Sequence, residues 1–366
     1  MRDTKVILVL LSILVFLSAG LVLWMLKPIL LPFVIAVFLG KIFAPLMEAL
    51  RRRKVPDGVA IVLVLVLVSV GLLLFSWLLY SSAESFTRAL PRYQARLASL
   101  TGEASGWLSS SFPSVAERVQ AWKWDEALEV SSLTGFAAAT VGSFLVFFND
   151  VFLILLFLVF LLAGSDAFPR KLERALTPER ALRVGTVLQN IQREVRKYLV
   201  MKTLANLLNG VLVTLLLAAF GVDFALLWGF LTFLAHYIPN VGAVLSVGLP
   251  AVFFFLQFES PGRALLITLL NLALQFVIGN VVEPRLMGSS LDLSPLLVLV
   301  SLIFWGWLWG PWGMILAVPI TSTLKIVCAN VEPLKPLAVL MSGAPPEAPA
   351  AAPAPAGPVE AAPGAA

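Results

Sequence analysis

His236-Tyr237-Ile238-Pro239-Asn240-Val241-Gly242 interrupts an otherwise apolar stretch running from Asp223 to Phe258, and Trp309-Gly310-Pro311-Trp312-Gly313 interrupts a second, from Asp292 to Ala329. Inside a bilayer, such a break frees backbone N–H and C=O groups that cost several kcal/mol each unless protein or water satisfies them. Membrane proteins keep breaks of this kind where the backbone is buried in protein or lines a cavity. These two stretches therefore point to a pathway through a membrane.

Composition identifies the solvent. Sixty per cent of the residues are hydrophobic and 13% are charged, with a mean hydropathy of +0.95. Soluble domains sit near 45–50% apolar and about 25% charged. The chain reads as an all-α polytopic membrane protein of about six continuous helices plus two broken helical hairpins, with a small external helical segment. Its single cysteine, Cys328, excludes an intramolecular disulfide and a cysteine-rich metal site.

Stretches of about 20 apolar residues cross a hydrocarbon core. Those available are Val6–Trp24, Pro28–Met47, Val59–Tyr80, Val141–Ala163, Thr203–Phe220 and Ala264–Val282. The first exceeds a signal-peptide core and runs into Lys27-Pro28 without an Ala-x-Ala site, so it reads as a retained helix. Arg51-Arg52-Arg53-Lys54 and the basic segment from Arg170 to Lys202 belong on the cytoplasmic side by the positive-inside rule. The mixed-charge segment Ser81–Gly142 then lies outside and both termini are cytoplasmic. The chain divides into a three-helix region at 1–80, the external segment at 81–142, and a fourth span with a cytoplasmic amphipathic helix at 143–202. A transport core at 203–332 follows, and an Ala/Pro tail expected to be disordered occupies 343–366.

Apolar residues recur at helical spacing in the outer segment, at Phe86, Leu90, Tyr93, Leu97 and Leu100 and again at Val115, Val119 and Trp122, predicting two or three short amphipathic helices. Val184, Leu188, Ile191, Val195 and Tyr198 form a similar stripe inside, with Thr177-Pro178-Glu179 as the helix start. That helix either lies on anionic lipid or packs against the protein.

Parity makes the core a span, a broken hairpin, a second span and a second hairpin, the second pair inverted relative to the first. Each break is either a re-entrant turn or the tip of a double crossing. Interrupted segments in inverted pairs point to a substrate site near the bilayer midplane.

The same blocks carry a family resemblance. Asp223-Phe224-Ala225-Leu226-Leu227-Trp228-Gly229, Tyr237-Ile238-Pro239-Asn240-Val241-Gly242, Val282-Glu283-Pro284-Arg285-Leu286-Met287-Gly288 and the run from Phe304 to Pro319 resemble the signature blocks of the autoinducer-2 exporter (AI-2E) family of PerM-like permeases. His236 departs from the neutral amide expected before Tyr-Ile-Pro. The resemblance implies secondary transport in a bacterial cytoplasmic membrane. It implies export of a furanone-type quorum signal, while some members are similar to sodium/proton antiporters.

The residues expected to line a pathway follow from this frame. Glu283 precedes Pro284, which disfavours helix at that position, so the span is expected to end there with Arg285 as the carboxylate's partner. Asn271 and Gln275 share a face and Asn280 lies further along the same helix, either as interhelical glue or as substrate contacts. Asn240 and the backbone of Pro239–Gly242 offer hydrogen bonds to a small polyhydroxylated ligand. His236 can exchange a proton near neutrality or sit neutral and satisfied. Gly242 and Gly313 are expected to supply backbone freedom at the turns, with Gly310 beside Pro311. Trp305, Trp307, Trp309 and Trp312 suit an aromatic interface belt, or else a stacking wall. Asp223 and Asp292 read as caps or interface residues.

Other classes fit poorly. The chain has one histidine and lacks Gly-x-Ser-x-Gly, His-Glu-x-x-His and Walker A patterns, which speaks against hydrolytic, zinc or ATP-driven chemistry. The expected partners are the lipid bilayer and a small-molecule or cation substrate, with no nucleic acid and no cofactor, and with room for a homo-oligomer. A carrier and a channel both remain compatible with helices broken around a cavity.

Overall fold

The computed structural model describes residues 2–111, 150–164, 171, 174–287 and 293–343. Its elements are α1 (Arg2–Met25), α2 (Lys27–Arg52), α3 (Asp57–Ser111), α4 (Asp150–Gly164), α5 (Pro178–Ala219), α6 (Ala225–Ala235) and α7 (Val241–Gln257). The chain continues through α8 (Pro261–Val277), a π-helical stretch (Ile278–Val282), α9 (Glu283–Met287), α10 (Pro295–Trp309), α11 (Pro311–Asn330), a 3-10 turn (Glu332–Leu334) and α12 (Lys335–Met341). This is an all-α membrane protein. The helices α2, α3, α5, α8 with its extension, and α11 are long and apolar enough to cross a bilayer.

Two predicted junctions are absent. The inner amphipathic stripe and the fifth span are one 42-residue helix, α5, about 63 Å long. Beyond Pro178 it contains no further proline, and its two glycines, Gly185 and Gly210, stand singly, so no local signal stops the helix. Thr177 occupies the N-cap position without making the side-chain cap bond. The stripe packs against protein at its far end, where Val195, Tyr198 and Leu199 are buried with Trp305, Leu308 and Leu316. Likewise, the first part of the outer segment is a continuation of α3, a 55-residue helix that carries Pro91 inside it, rather than a separate short helix. The second expected outer helix (Val115, Val119, Trp122), Asp292 and the 344–366 tail lie outside the described residues.

Three apolar clusters hold the bundle. α2, α3 and α4 close around Ala36, Val64 and Leu158; α5, α7 and α8 around Leu217, Phe254 and Ile267; α2, α5, α10 and α11 around the tryptophans. α5 is the common wall, touching α2, α6, α8, α9 and α11. Both interrupted segments are helical hairpins, α6–α7 and α10–α11. With 11 residues, α6 is only about 16 Å long, far short of the ~30 Å hydrocarbon core. Its partner α7 has 17 residues and α10 has 15, whereas α11, at 20 residues, has the length of a full crossing.

The long α3 reaches past its apolar part to clamp the open end of the first hairpin. Asp223 accepts hydrogen bonds from Arg92 and from the Tyr93 hydroxyl (2.7 Å), and Arg96 donates to the Glu259 carbonyl (3.0 Å). Burial, then the bond to Asp223, pushes the Tyr93 phenol up to about 12, so it remains a donor at neutral pH. Asp223 is thus an interface residue, and it caps no helix: Phe224, with φ 60°, is the N-cap of α6.

Candidate functional site

The site begins with a close approach of two helices. A Cβ on Gly210 of α5 would lie 2.7 Å from the Gly229 carbonyl oxygen, and one on Gly229 of α6 would lie 2.5 Å from the Gly210 carbonyl oxygen. Only glycine at both positions lets the backbones meet, as small residues do in membrane helix packing. That approach presses one face of α5 into the unit. Lys202, Asn206 and Asn209, spaced i, i+4, i+7, lie on this face above Val213 and Leu217, and all five are buried.

Opposite them stand Asn271 and Gln275 of α8 and, from the hairpin, His236, Ser246 and Thr232, all buried. They connect in sequence. Asn209 Nδ2 donates to Gln275 Oε1 (3.0 Å), Gln275 Nε2 approaches Asn271 Oδ1 at 3.5 Å, and Asn271 Nδ2 donates to the Ser246 carbonyl (2.9 Å). His236 Nδ1 lies 3.1 Å from the Thr232 carbonyl and 3.3 Å from Ser246 Oγ. A carbonyl only accepts, so Nδ1 carries a hydrogen in that contact. At the other end of the track, Lys202 pairs with Glu283, the lysine side chain 4% exposed and the carboxylate 23%.

The track is incompletely satisfied. Asn206 Nδ2, Asn209 Oδ1, Thr232 Oγ1 and Trp228 Nε1 are buried without a partner among the described residues. Such atoms cost about 1–3 kcal/mol each when left dry, and in native proteins they mark water, ions or ligands. Two of them, Trp228 Nε1 and Thr232 Oγ1, belong to residues one helical turn apart that line a cavity of about 190 Å³. Ser246, Pro250 and Ile238 line it from the same hairpin, and Ile315 of α11 closes it, so the cavity sits where the two hairpins meet.

Several sequence expectations are corrected by this geometry. The span does not end at Glu283. The π-helical stretch Ile278–Val282 widens the turn ahead of Pro284, whose ring would otherwise strike the carbonyl four residues back, and the helix continues to Met287. The partner of Glu283 is Lys202, while Arg285 is exposed. Lys202, counted with the basic inner segment, is among the most buried polar residues of the chain. Asn280 is exposed and bonds back to the Phe276 carbonyl (3.0 Å), away from Asn271 and Gln275.

The turns also differ from expectation. Gly242 and Gly313 both lie within helices, and neither has a positive φ. The left-handed positions are Asn240 (φ 63°) and Gly310 (φ 69°). Gly242 and Gly313 serve contact instead: a Cβ at 242 would lie 2.4 Å from the Ala235 carbonyl oxygen, and one at 313 would lie 1.9 Å from that of Trp305. Pro239 is half-buried and Asn240 exposed at the first tip. Of the tryptophans, Trp307 and Trp312 face outward as a belt would, but Trp305 and Trp309 are buried core, their rings 5.1 Å apart. His236, Asn271, Gln275 and Glu283 are therefore brought into or beside one track, whereas Gly310 and Gly313 shape the other hairpin.

Comparison with known proteins agrees with this architecture. The family model described as AI-2E family transporter matches residues 11–332. An inferred transport protein of Haemophilus influenzae is 33% identical over 303 residues, covering 81% of this chain and 85% of its own. TqsA of Escherichia coli, named an AI-2 transport protein, is 32% identical over 314 residues, covering 86% and 89%. PerM of Escherichia coli, an inferred permease, is 24% identical over 203 residues, or 56% of each chain.

Proposed function

The chain belongs to the AI-2E family of transporters, and from that premise we propose that it is a secondary carrier for a compact, polar small molecule that enters the cavity between the two hairpins. The observation that carries this reading is that Trp228 and Thr232, each with a buried polar atom lacking a partner among the described residues, both line the 190 Å³ cavity. A mostly apolar pocket with a few placed polar groups is the usual form of a small-molecule site. The volume suits a ligand smaller than a drug. Autoinducer-2 is the first cargo to test, because a relative of 32% identity bears its name.

In this reading, cargo sits against Trp228 and Thr232 in the cavity and offers hydrogen bonds to them, and the Lys202–Glu283 pair couples occupancy to an ion or proton gradient. An ionisable pair within a transport core is a functional candidate by default. Neutralising either member changes the pairing between α5 and α9.

Counterflow in proteoliposomes against a panel of small polar metabolites, including autoinducer-2, and of cations tests the proposal. Saturable exchange that falls in Thr232→Val supports it. Unitary currents in place of saturable exchange, or equal exchange by parent and variant for every accepted cargo, would remove this cavity from the pathway.

We further propose a bacterial cytoplasmic membrane location with both termini inside, on the Lys/Arg distribution. Alkaline phosphatase inserted within Ser81–Gly142 is then active, and fused after Ser342 it is inactive. The opposite pattern inverts the orientation.

A further inference from the structure

A second and larger cavity, about 1020 Å³, lies between α2, α4 and α5, outside the polar track. Among the described residues its lining carries five cationic side chains, Lys41, Arg51, Arg193, Arg196 and Lys197, against one carboxylate, Glu48. Glu48 is engaged twice by Arg196, the Nη2 contact being 3.0 Å, and Arg51 is held by Asp57 (2.8 Å). Lys41 and Lys197 have no ion-pair or hydrogen-bond partner among the described residues. Lys41 lies on a span-length apolar helix eleven residues before its basic end at Arg52. A cation so placed needs an anion or a wet cavity, and among the described residues the one carboxylate of the lining, Glu48, is taken by Arg196.

Apart from Gln189 and Gln192, the rest of the lining is apolar. Phe160 and Leu161 of α4, and Val200 and Met201 of α5, form a wall beside the charges, and Phe160 is largely exposed. A free phosphate would gain nothing from such a wall. An amphiphile would, and basic pockets between transmembrane helices are where phospholipid head groups bind. We propose that this cavity is a binding site for an anionic phospholipid, its phosphodiester held by Lys41, Lys197 and Arg193 and its acyl chains laid on the α4–α5 wall. Because α5 carries Lys197 and, five residues on, Lys202 of the track, bound lipid would brace the helix that forms one side of the transport unit.

Native mass spectrometry of the full chain, titrated with dioleoyl phosphatidylglycerol and separately with dioleoyl phosphatidylcholine, tests this. The parent should retain the anionic lipid preferentially, and Lys41→Gln and Lys197→Gln should each lower that retention about fivefold. Lys335→Gln, a charge-matched change on α12, should leave it unaltered. Glu48→Gln removes the one carboxylate and frees Arg196, so it should tighten retention, a gain that no folding defect imitates. Equal retention of the two lipids, or unchanged preference in both cavity variants, overturns the site. Displacement of the glycerolipid by millimolar inorganic phosphate would assign the cavity to a free anion and equally overturn the lipid proposal. Cargo exchange is a separate readout, so failure here leaves the transport reading intact.

Discussion

The α6–α7 hairpin turns at Asn240 and the α10–α11 hairpin at Gly310, both with positive φ, and each closes its turn by laying a glycine, Gly242 or Gly313, against a backbone carbonyl of its first helix. Their fillings differ. The first buries Thr232, His236 and Ser246 beside a cavity, while the second buries Ser301, Thr321 and Ser322 along with a large apolar cluster of Leu302, Trp305, Leu308 and Trp309. Their supports differ too: α5 packs along α6 and α8 along α7, so both continuous helices flank the first hairpin, whereas the second rests on α5 and α2. Both hairpins bury polar side chains, but among the described residues only the first holds buried polar atoms without a partner, and that separates two duties. A broken helix can be satisfied by packing alone, so the orphaned polar atoms of the first hairpin are not a by-product of its turn.

The largest expected effect tests the shared part of the comparison. Gly313→Ala and Gly242→Ala each drive a methyl into a backbone carbonyl that no side-chain rotation can relieve. Each should destabilise by about 3 kcal/mol, the upper end for overpacking, with Gly313 the more severe. The measurement is the melting midpoint of detergent-purified protein by fluorescence-detected size exclusion. A parent-like midpoint in either variant would mean that the two turns are not built on the same contact.

The next effect is confined to the polar unit. Removing one member of a buried ion pair costs about 3–5 kcal/mol, and the 23% exposure of Glu283 brings that down to roughly 2–3 kcal/mol. Glu283→Gln and Lys202→Met should each lower the melting midpoint, and the double variant Lys202→Met/Glu283→Met should recover most of the loss. If the pair also couples transport, the double variant exchanges cargo but does not accumulate it against a gradient. Accumulation equal to the parent with an unchanged pH profile would leave the pair a structural brace.

Smaller, and opposite in kind, are changes at the cavity. Thr232→Val and Trp228→Phe remove groups that have no partner among the described residues, so stability should stay within about 1 kcal/mol of the parent. Cargo exchange should fall about tenfold, the worth of one hydrogen bond at 1.4 kcal/mol. Trp309→Phe in the second hairpin should do the reverse, losing the bond to the Leu23 carbonyl (3.4 Å) and some stability while exchange persists. If the two hairpins respond alike, the division of duties fails.

The sequence made the spans, the two breaks and half of the track legible, because apolar length and Gly/Pro interruptions are local signals. Asn271 and Gln275 were visible as polar residues one turn apart in an apolar helix. Lys202, Asn206 and Asn209 carry the same signal at i, i+4, i+7. They are harder to see because the basic segment ends at Lys202 just where the apolar run begins, although the helix runs on through both. Glu283 was found but given the wrong partner, since Pro284 suggested a helix end and nothing local announces a π-helical turn. The role of Gly242 and Gly313 was out of reach for a similar reason. A close approach is a tertiary fact, and sequence alone favours the reading of glycine as a flexible joint.

The smallest expected effect concerns the two left-handed positions themselves. Gly310 already has the residue its φ of 69° and ψ of −149° require, whereas Asn240 holds φ 63° and ψ −45° with a side chain. Sparse backbone regions cost about 1–3 kcal/mol for a residue with a Cβ, and glycine gives back roughly 0.5–1 kcal/mol through the greater freedom it has when unfolded. Asn240→Gly should therefore stabilise the protein by about 1 kcal/mol or less, and Gly310→Ala should destabilise it. The transport readout then separates the two reasons for an asparagine at the first tip. If Asn240→Gly raises the melting midpoint but slows exchange, the amide contacts cargo and the strain is kept for that contact. If exchange is unchanged, the asparagine serves the turn alone and the pathway is confined to the buried track. A lower midpoint would show that its side chain braces the tip, and the likeness between the two turns would end at their backbone angles.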